Sequence, residues 1–86
     1  MIKMTIKDYL STKDVIQDQI DDLIFHLIKT RKKNKITQMK LSQMSGVPQT
    51  TISRIESFST VPTLSVLLKI ANALELSLIF DSNRKG

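Results

Sequence analysis

Gln49, Thr50, Ser53 and Arg54 are the residues of this chain whose types and spacing best suit chemistry on a ligand. On a helix turning about 100° per residue they share one continuous arc with Ser57, and Ile52 and Ile55 fall on the other side. The arc is polar and holds no acid. Long amide and guanidinium groups beside small hydroxyls suit base edges in a DNA major groove. Gln bonds adenine bidentately, Arg bonds guanine, and a Thr methyl meets the thymine methyl. A merely solvated helix face usually mixes Glu with Lys, and this face has neither.

The charge around that arc points the same way. The 86 residues carry a formal charge of +5, but it is unevenly spread. Residues 1–28 hold three Lys against five Asp. Residues 29–54 hold Lys29, Arg31, Lys32, Lys33, Lys35, Lys40 and Arg54 with no acid, and residues 55–86 balance three against three. An excess gathered in one block is the electrostatic footprint of a polyanion binder, nucleic acid before anionic membrane. Lys32, Lys33, Lys35 and Lys40 are therefore read as sequence-independent phosphate contacts, with a solvated face as the plainer alternative for each.

Other chemistries find little support. The chain has no Cys and a single His, His26, so thiolate chemistry and cysteine-based zinc sites are excluded, and neither metal nor cofactor is expected. No Ser has a His partner near it in sequence, and no glycine-rich phosphate loop exists, so the expectation is that the protein is not an enzyme. No apolar run approaches the ~20 residues of a membrane span, and residues 1–10 lack a signal-peptide core. A reducing cytoplasm suits the lack of cysteine.

The elements that must position the arc are helical. Two Gly and two Pro are too few for a sandwich or a propeller. From about Thr12 the residues Ile16, Ile20, Leu23, Ile24, Leu27 and Ile28 repeat with helical period, predicting a long amphipathic helix that ends near residues 33–34. Thr37 is placed to cap a short helix with Leu41 and Met44 inward, ended by Gly46. Val47 before Pro48 is pushed to extended geometry, and a helix over residues 48–57 follows after a tight turn. Thr63 can cap a fourth helix with Leu64, Leu67, Leu68, Ala71 and Leu74 as its apolar stripe, and residues 76–81 are apolar enough for a short strand. This divides the chain into an N-terminal extension, residues 1–11, a DNA-binding domain, 12–75, and a C-terminal tail, 76–86.

Residues 36–78, ITQMKLSQMSGVPQTTISRIESFSTVPTLSVLLKIANALELSL, resemble the phage-repressor-like, or XRE, helix-turn-helix family. The resemblance spans roughly residues 18–80. It rests on Thr37-Gln38, Leu41, Gly46-Val47, the run from Gln49 to Glu56, Pro62-Thr63 and Leu67-Leu68. It implies an all-α bundle of four to five helices that binds operator DNA as a dimer, with residues 48–57 as recognition helix. Gln49, Thr50, Ser53 and Arg54 fall where the family reads bases. Gln38 falls where it meets a phosphate and steadies that helix, and Thr37, Thr51 and Ser57 fall near the DNA backbone. Two departures stand out. The loop after Glu56 reads Ser57-Phe58-Ser59 in place of Asn-Gly, and Glu75 replaces a glycine after the fourth helix, costing about 1 kcal/mol if left-handed. Phe58 is expected to pack under the fourth helix or to touch a partner.

Specific affinity generally needs two half-sites about 34 to 36 Å apart, hence a homodimer. Leu76, Leu78 and Phe80 alternate with Ser77, Ile79 and Asp81 and could pair with a twin tail, or the tail could close its own core. Two functional readings result. One is a sequence-specific transcriptional repressor acting on a palindromic operator. The other is an antitoxin that binds a toxin protein and represses its own operon, with residues 1–11 as docking arm or as a helix lapping the core.

Overall fold

The computed structural model describes residues 6–79, with side chains from Val15 onward. It is all-helical there, with α1 over Ile6–Lys33, α2 over Gln38–Ser45, α3 over Gln49–Glu56 and α4 over Leu64–Ala73. The helix expected from about Thr12 begins at Ile6, and no fifth helix and no strand occur among the described residues. Residues 76–79 of the expected strand have no regular structure, and Phe80 lies outside the described residues.

One core joins the four helices. Ile24 and Leu27 of α1, Leu41 of α2, Val47 of the turn, Ile52 and Ile55 of α3, and Leu67, Ile70, Ala71 and Leu74 around α4 are buried together. α2 packs on both α3 and α4, and α1 packs on α3. The inward stripes are narrower than the apolar periodicity suggests. Ile16, Met44, Leu64 and Leu68 are exposed, while Ile70, outside the expected stripe, is buried. Helices of eight to ten residues bury only the arc facing their neighbours, and Ile16 precedes the stretch of α1 that reaches the core.

Backbone chemistry sets the boundaries. Thr37 Oγ1 accepts the Lys40 amide at 3.0 Å and Thr63 Oγ1 accepts the Val66 amide at 3.2 Å, as capping threonines should. Gly46 ends α2 at φ 76 and donates its amide to the Ser42 carbonyl. The three-residue turn to α3 is pinned by serine hydroxyls. Ser42 Oγ donates to the Val47 carbonyl at 2.6 Å and Ser45 Oγ accepts the Val47 amide at 3.1 Å. Pro48 is the N-cap of α3, one residue before the helix proper.

The other three helices end without glycine. In each, a left-handed residue is enclosed by a six-to-one bond: Ile36 N–H to Arg31 around Lys35, Ser59 N–H to Arg54 around Phe58, and Leu76 N–H to Ala71 around Glu75. This is Schellman geometry, which glycine usually occupies. Both glycine departures read from sequence thus fall at left-handed positions, and Lys35 is a third that carried no such signal. Each costs about 1 kcal/mol relative to glycine.

Phe58 is exposed and is not among the residues packed into the core. Its ring lies against Phe25 of α1, with centroids 4.9 Å apart and planes tilted by 48°. The left-handed backbone turns the chain there, and α1 is the element that receives the ring.

Candidate nucleic-acid interface

α3 is held by its apolar side and offers its polar side. Ile52 and Ile55 are almost wholly buried, whereas Gln49, Thr50, Ser53 and Arg54 are exposed. These four, joined by Gln38 from α2, line a shallow open depression of 370 Å³. No carboxylate lines it. The proximity of Gln38 comes from the tight turn, which lays the start of α2 beside α3.

A polar network missed in the sequence holds that geometry. Arg31 Nε and Nη2 donate to Glu56 Oε2 and Oε1, each at 2.7 Å, forming a bidentate pair, and Arg31 Nη1 donates to the Ile36 carbonyl at 2.7 Å. Gln38 Nε2 donates to Glu56 Oε1 at 3.0 Å. Arg31 is only 8% exposed. The Glu56 carboxylate at the end of α3 thus ties together α1 and the start of α2, and Arg31 adds the loop after α1. Among the described residues no buried side-chain polar atom is left unpartnered, the condition under which a buried ion pair is tolerated. Arg31 belongs to the basic block by sequence but has its charge matched by Glu56, so it is withdrawn from the surface. The available signal was that Glu56 is the one acid between Asp22 and Glu75.

The remaining residues read from sequence are placed as follows. Lys32, Lys33, Lys35 and Lys40 are exposed, with Lys32 on the wall of a second depression beside the first. Lys33, Lys35 and Lys40 line neither. Thr37 is exposed, and because its oxygen accepts the capping bond, its hydroxyl proton remains free to donate. Thr51 is half-buried at the edge of the α3 face. Ser57 Oγ donates to the Arg54 carbonyl at 3.1 Å and shares a 2.7 Å bond with Ser59 Oγ, so its proton is already engaged. Leu76 and Leu78 are half-buried against the chain's own core, beside Leu23, Leu27 and Leu67. His26 is exposed at the rim of that contact. No metal-holding group of three His, Cys, Asp or Glu occurs among the described residues, and no helix there is long and apolar enough to cross a membrane.

Two short helices locked at a tight turn, the second presenting a polar face, define a helix-turn-helix unit, and the chain belongs to the helix-turn-helix family, whose pattern matches residues 27–80. Among its relatives is an uncharacterized HTH-type transcriptional regulator of Haemophilus influenzae, strain ATCC 51907 / DSM 11121 / KW20 / Rd. It is 46% identical over 48 residues, which cover 56% of this chain and 49% of the relative. The chain thus spans about half the length of the curated relative it matches. A chain from a solved toxin–antitoxin module of Streptococcus pneumoniae is similar over 94% of this chain and 96% of its own length, with a TM-score of 0.69 and 30% identity.

Proposed function

We propose that this protein is a sequence-specific binder of double-stranded DNA that represses transcription as a homodimer on a palindromic operator. The observation that carries the reading is the exposed, acid-free face of α3, where Gln49, Thr50, Ser53 and Arg54 surround one depression with Gln38. Gln49 and Arg54 are the base-reading groups, with Thr50 and Ser53 keeping the helix slim and adding hydroxyl contacts. Thr37, Lys32, Lys33, Lys35 and Lys40 contact phosphates and set register, with Thr51 near the backbone and Gln38 orienting α3 through Glu56. Leu76, Leu78 and Phe80 form the dimer contact, the first two through the faces their own core leaves open.

Selection of bound duplexes from a random pool by the purified full chain tests this. The expected product is one enriched motif with two-fold symmetry. Equal recovery of all sequences overturns the reading.

A second reading, an antitoxin that autoregulates its operon, is favoured by the near full-length similarity to the chain from a toxin–antitoxin module. It keeps the same DNA chemistry and adds a protein partner. Co-expression with the product of the adjoining reading frame should yield a stable complex and relieve its toxicity. A harmless product that does not bind removes this reading and leaves the first.

A further inference from the structure

The base-reading depression has a neighbour. Gln38 and Ser53 line both, and the second, of 430 Å³, adds Phe25, Lys32, Ser57 and Phe58. Its one carboxylate, Glu56, is matched by Arg31, so the wall combines one unmatched cation, Lys32, with neutral polar groups and two phenyl rings.

The two rings are only partly accounted for by each other. Phe25 is 58% exposed and Phe58 is 40% exposed although they touch. Phe58 also holds a left-handed backbone, φ 60, which disfavours a bulky side chain. A single exposed apolar residue is ordinary, but an aromatic pair continuous with a polar, acid-free face calls for an occupant. A duplex seated on Gln49 and Arg54 lies next to this second depression, because Gln38 and Ser53 line both. The DNA backbone alternates an anionic phosphate with the apolar face of a sugar. Lys32 beside two phenyl rings matches that alternation.

We propose that Phe25 and Phe58 form an aromatic ledge that packs on a deoxyribose of the DNA backbone flanking the bases read by α3, with Lys32 on the adjoining phosphate. The proposal rests on the DNA-binding reading above and extends its contact surface beyond the helix.

The test uses a duplex selected by the full chain, hydroxyl-radical footprinting, and affinities at several salt concentrations. Phe25→Ala and Phe58→Gly should each weaken binding roughly five-fold, through lost apolar burial. Both should expose sugars at the outer edge of the footprint and leave the selected motif and the salt slope unchanged. Glycine favours the Phe58 backbone conformation, so loss of binding by Phe58→Gly is not a loss of fold, and a circular-dichroism melt checks this. Lys32→Ala should instead lower the salt slope by about one. Wild-type affinity and sugar protection in both phenylalanine variants overturn the ledge. If Arg54→Ala shifts the selected motif in that same experiment, the base-reading face survives the ledge's failure. With 4-fluorophenylalanine incorporated, the Phe25 and Phe58 resonances should move on adding the duplex. Movement with protein concentration alone assigns the rings to a second copy and overturns the proposal.

Discussion

Arg31 and Arg54 come from one acid-free stretch of sequence and end in opposite situations. Arg31, in the last turn of α1, is buried and bonded through three nitrogens to Glu56 and the Ile36 carbonyl. Arg54, near the end of α3, is exposed beside Gln49 and, among the described residues, makes no ion pair. The same guanidinium is an internal bracket in one place and a surface probe in the other. A count of basic residues therefore overstates the charge available to a polyanion. The region around Arg31 decides where α3 sits, and the region around Arg54 decides what α3 meets.

That contrast is broken most forcefully at the bracket. Arg31→Ala should destabilise the fold by about 3 to 5 kcal/mol, since it leaves the largely enclosed Glu56 carboxylate without its counter-charge. Urea or thermal unfolding measures this, and a loss within that of an ordinary surface change would show the pair to be dispensable. Replacing both partners, Arg31→Met with Glu56→Leu, should recover much of the stability while loosening the Gln38 contact. DNA affinity should then remain impaired in a protein that folds.

Arg54→Ala should leave unfolding unchanged and weaken cognate binding by about 1 to 3 kcal/mol while relaxing preference at one base pair. Equal weakening on random duplexes would move Arg54 to the phosphate class. Lys33→Ala should weaken all duplexes alike and reduce the salt slope by about one, measured by titrations across ionic strength. The smallest effect is expected away from both arginines. Glu75→Gly relieves a left-handed residue, φ 59, and should stabilise the chain by about 0.5 to 1 kcal/mol in a urea titration, with DNA binding unaltered.

Much of the architecture was legible because its signals are local. Thr37 and Thr63 announce helix starts through hydroxyls three residues ahead of the amides they accept. Gly46 before Val47-Pro48 announces the turn through its left-handed φ and the extended residue preceding a proline. The outward face of α3 was legible for the same reason, since its period and lack of acid belong to one eight-residue segment. Phe58 and Glu75 were recognisable as strained substitutes for glycine, but Lys35 was not.

Contacts between segments were not legible. Met44, Leu64 and Leu68 looked inward because apolar residues at helical spacing usually are, yet each lies beyond the arc its short helix buries. Phe58, expected to pack under the fourth helix or to touch a partner, meets Phe25, thirty-three positions upstream. Leu76 and Leu78 lie half-buried beside Leu23 and Leu27 of α1 and Leu67 of α4, contacts that no local pattern in the tail announces.

By itself the sequence determined the helices, their caps, the tight turn and the composition of the exposed face of α3. These follow from dihedral preferences, capping chemistry and periodicity, all of which act within a few residues. Only the tertiary structure decided that Arg31 is withdrawn from the basic surface, that Gln38 reaches α3 through Glu56, and that Phe25 and Phe58 share an edge. Burial and charge pairing depend on which surfaces meet, and residues twenty-five positions apart, such as Arg31 and Glu56, meet only once the core has closed.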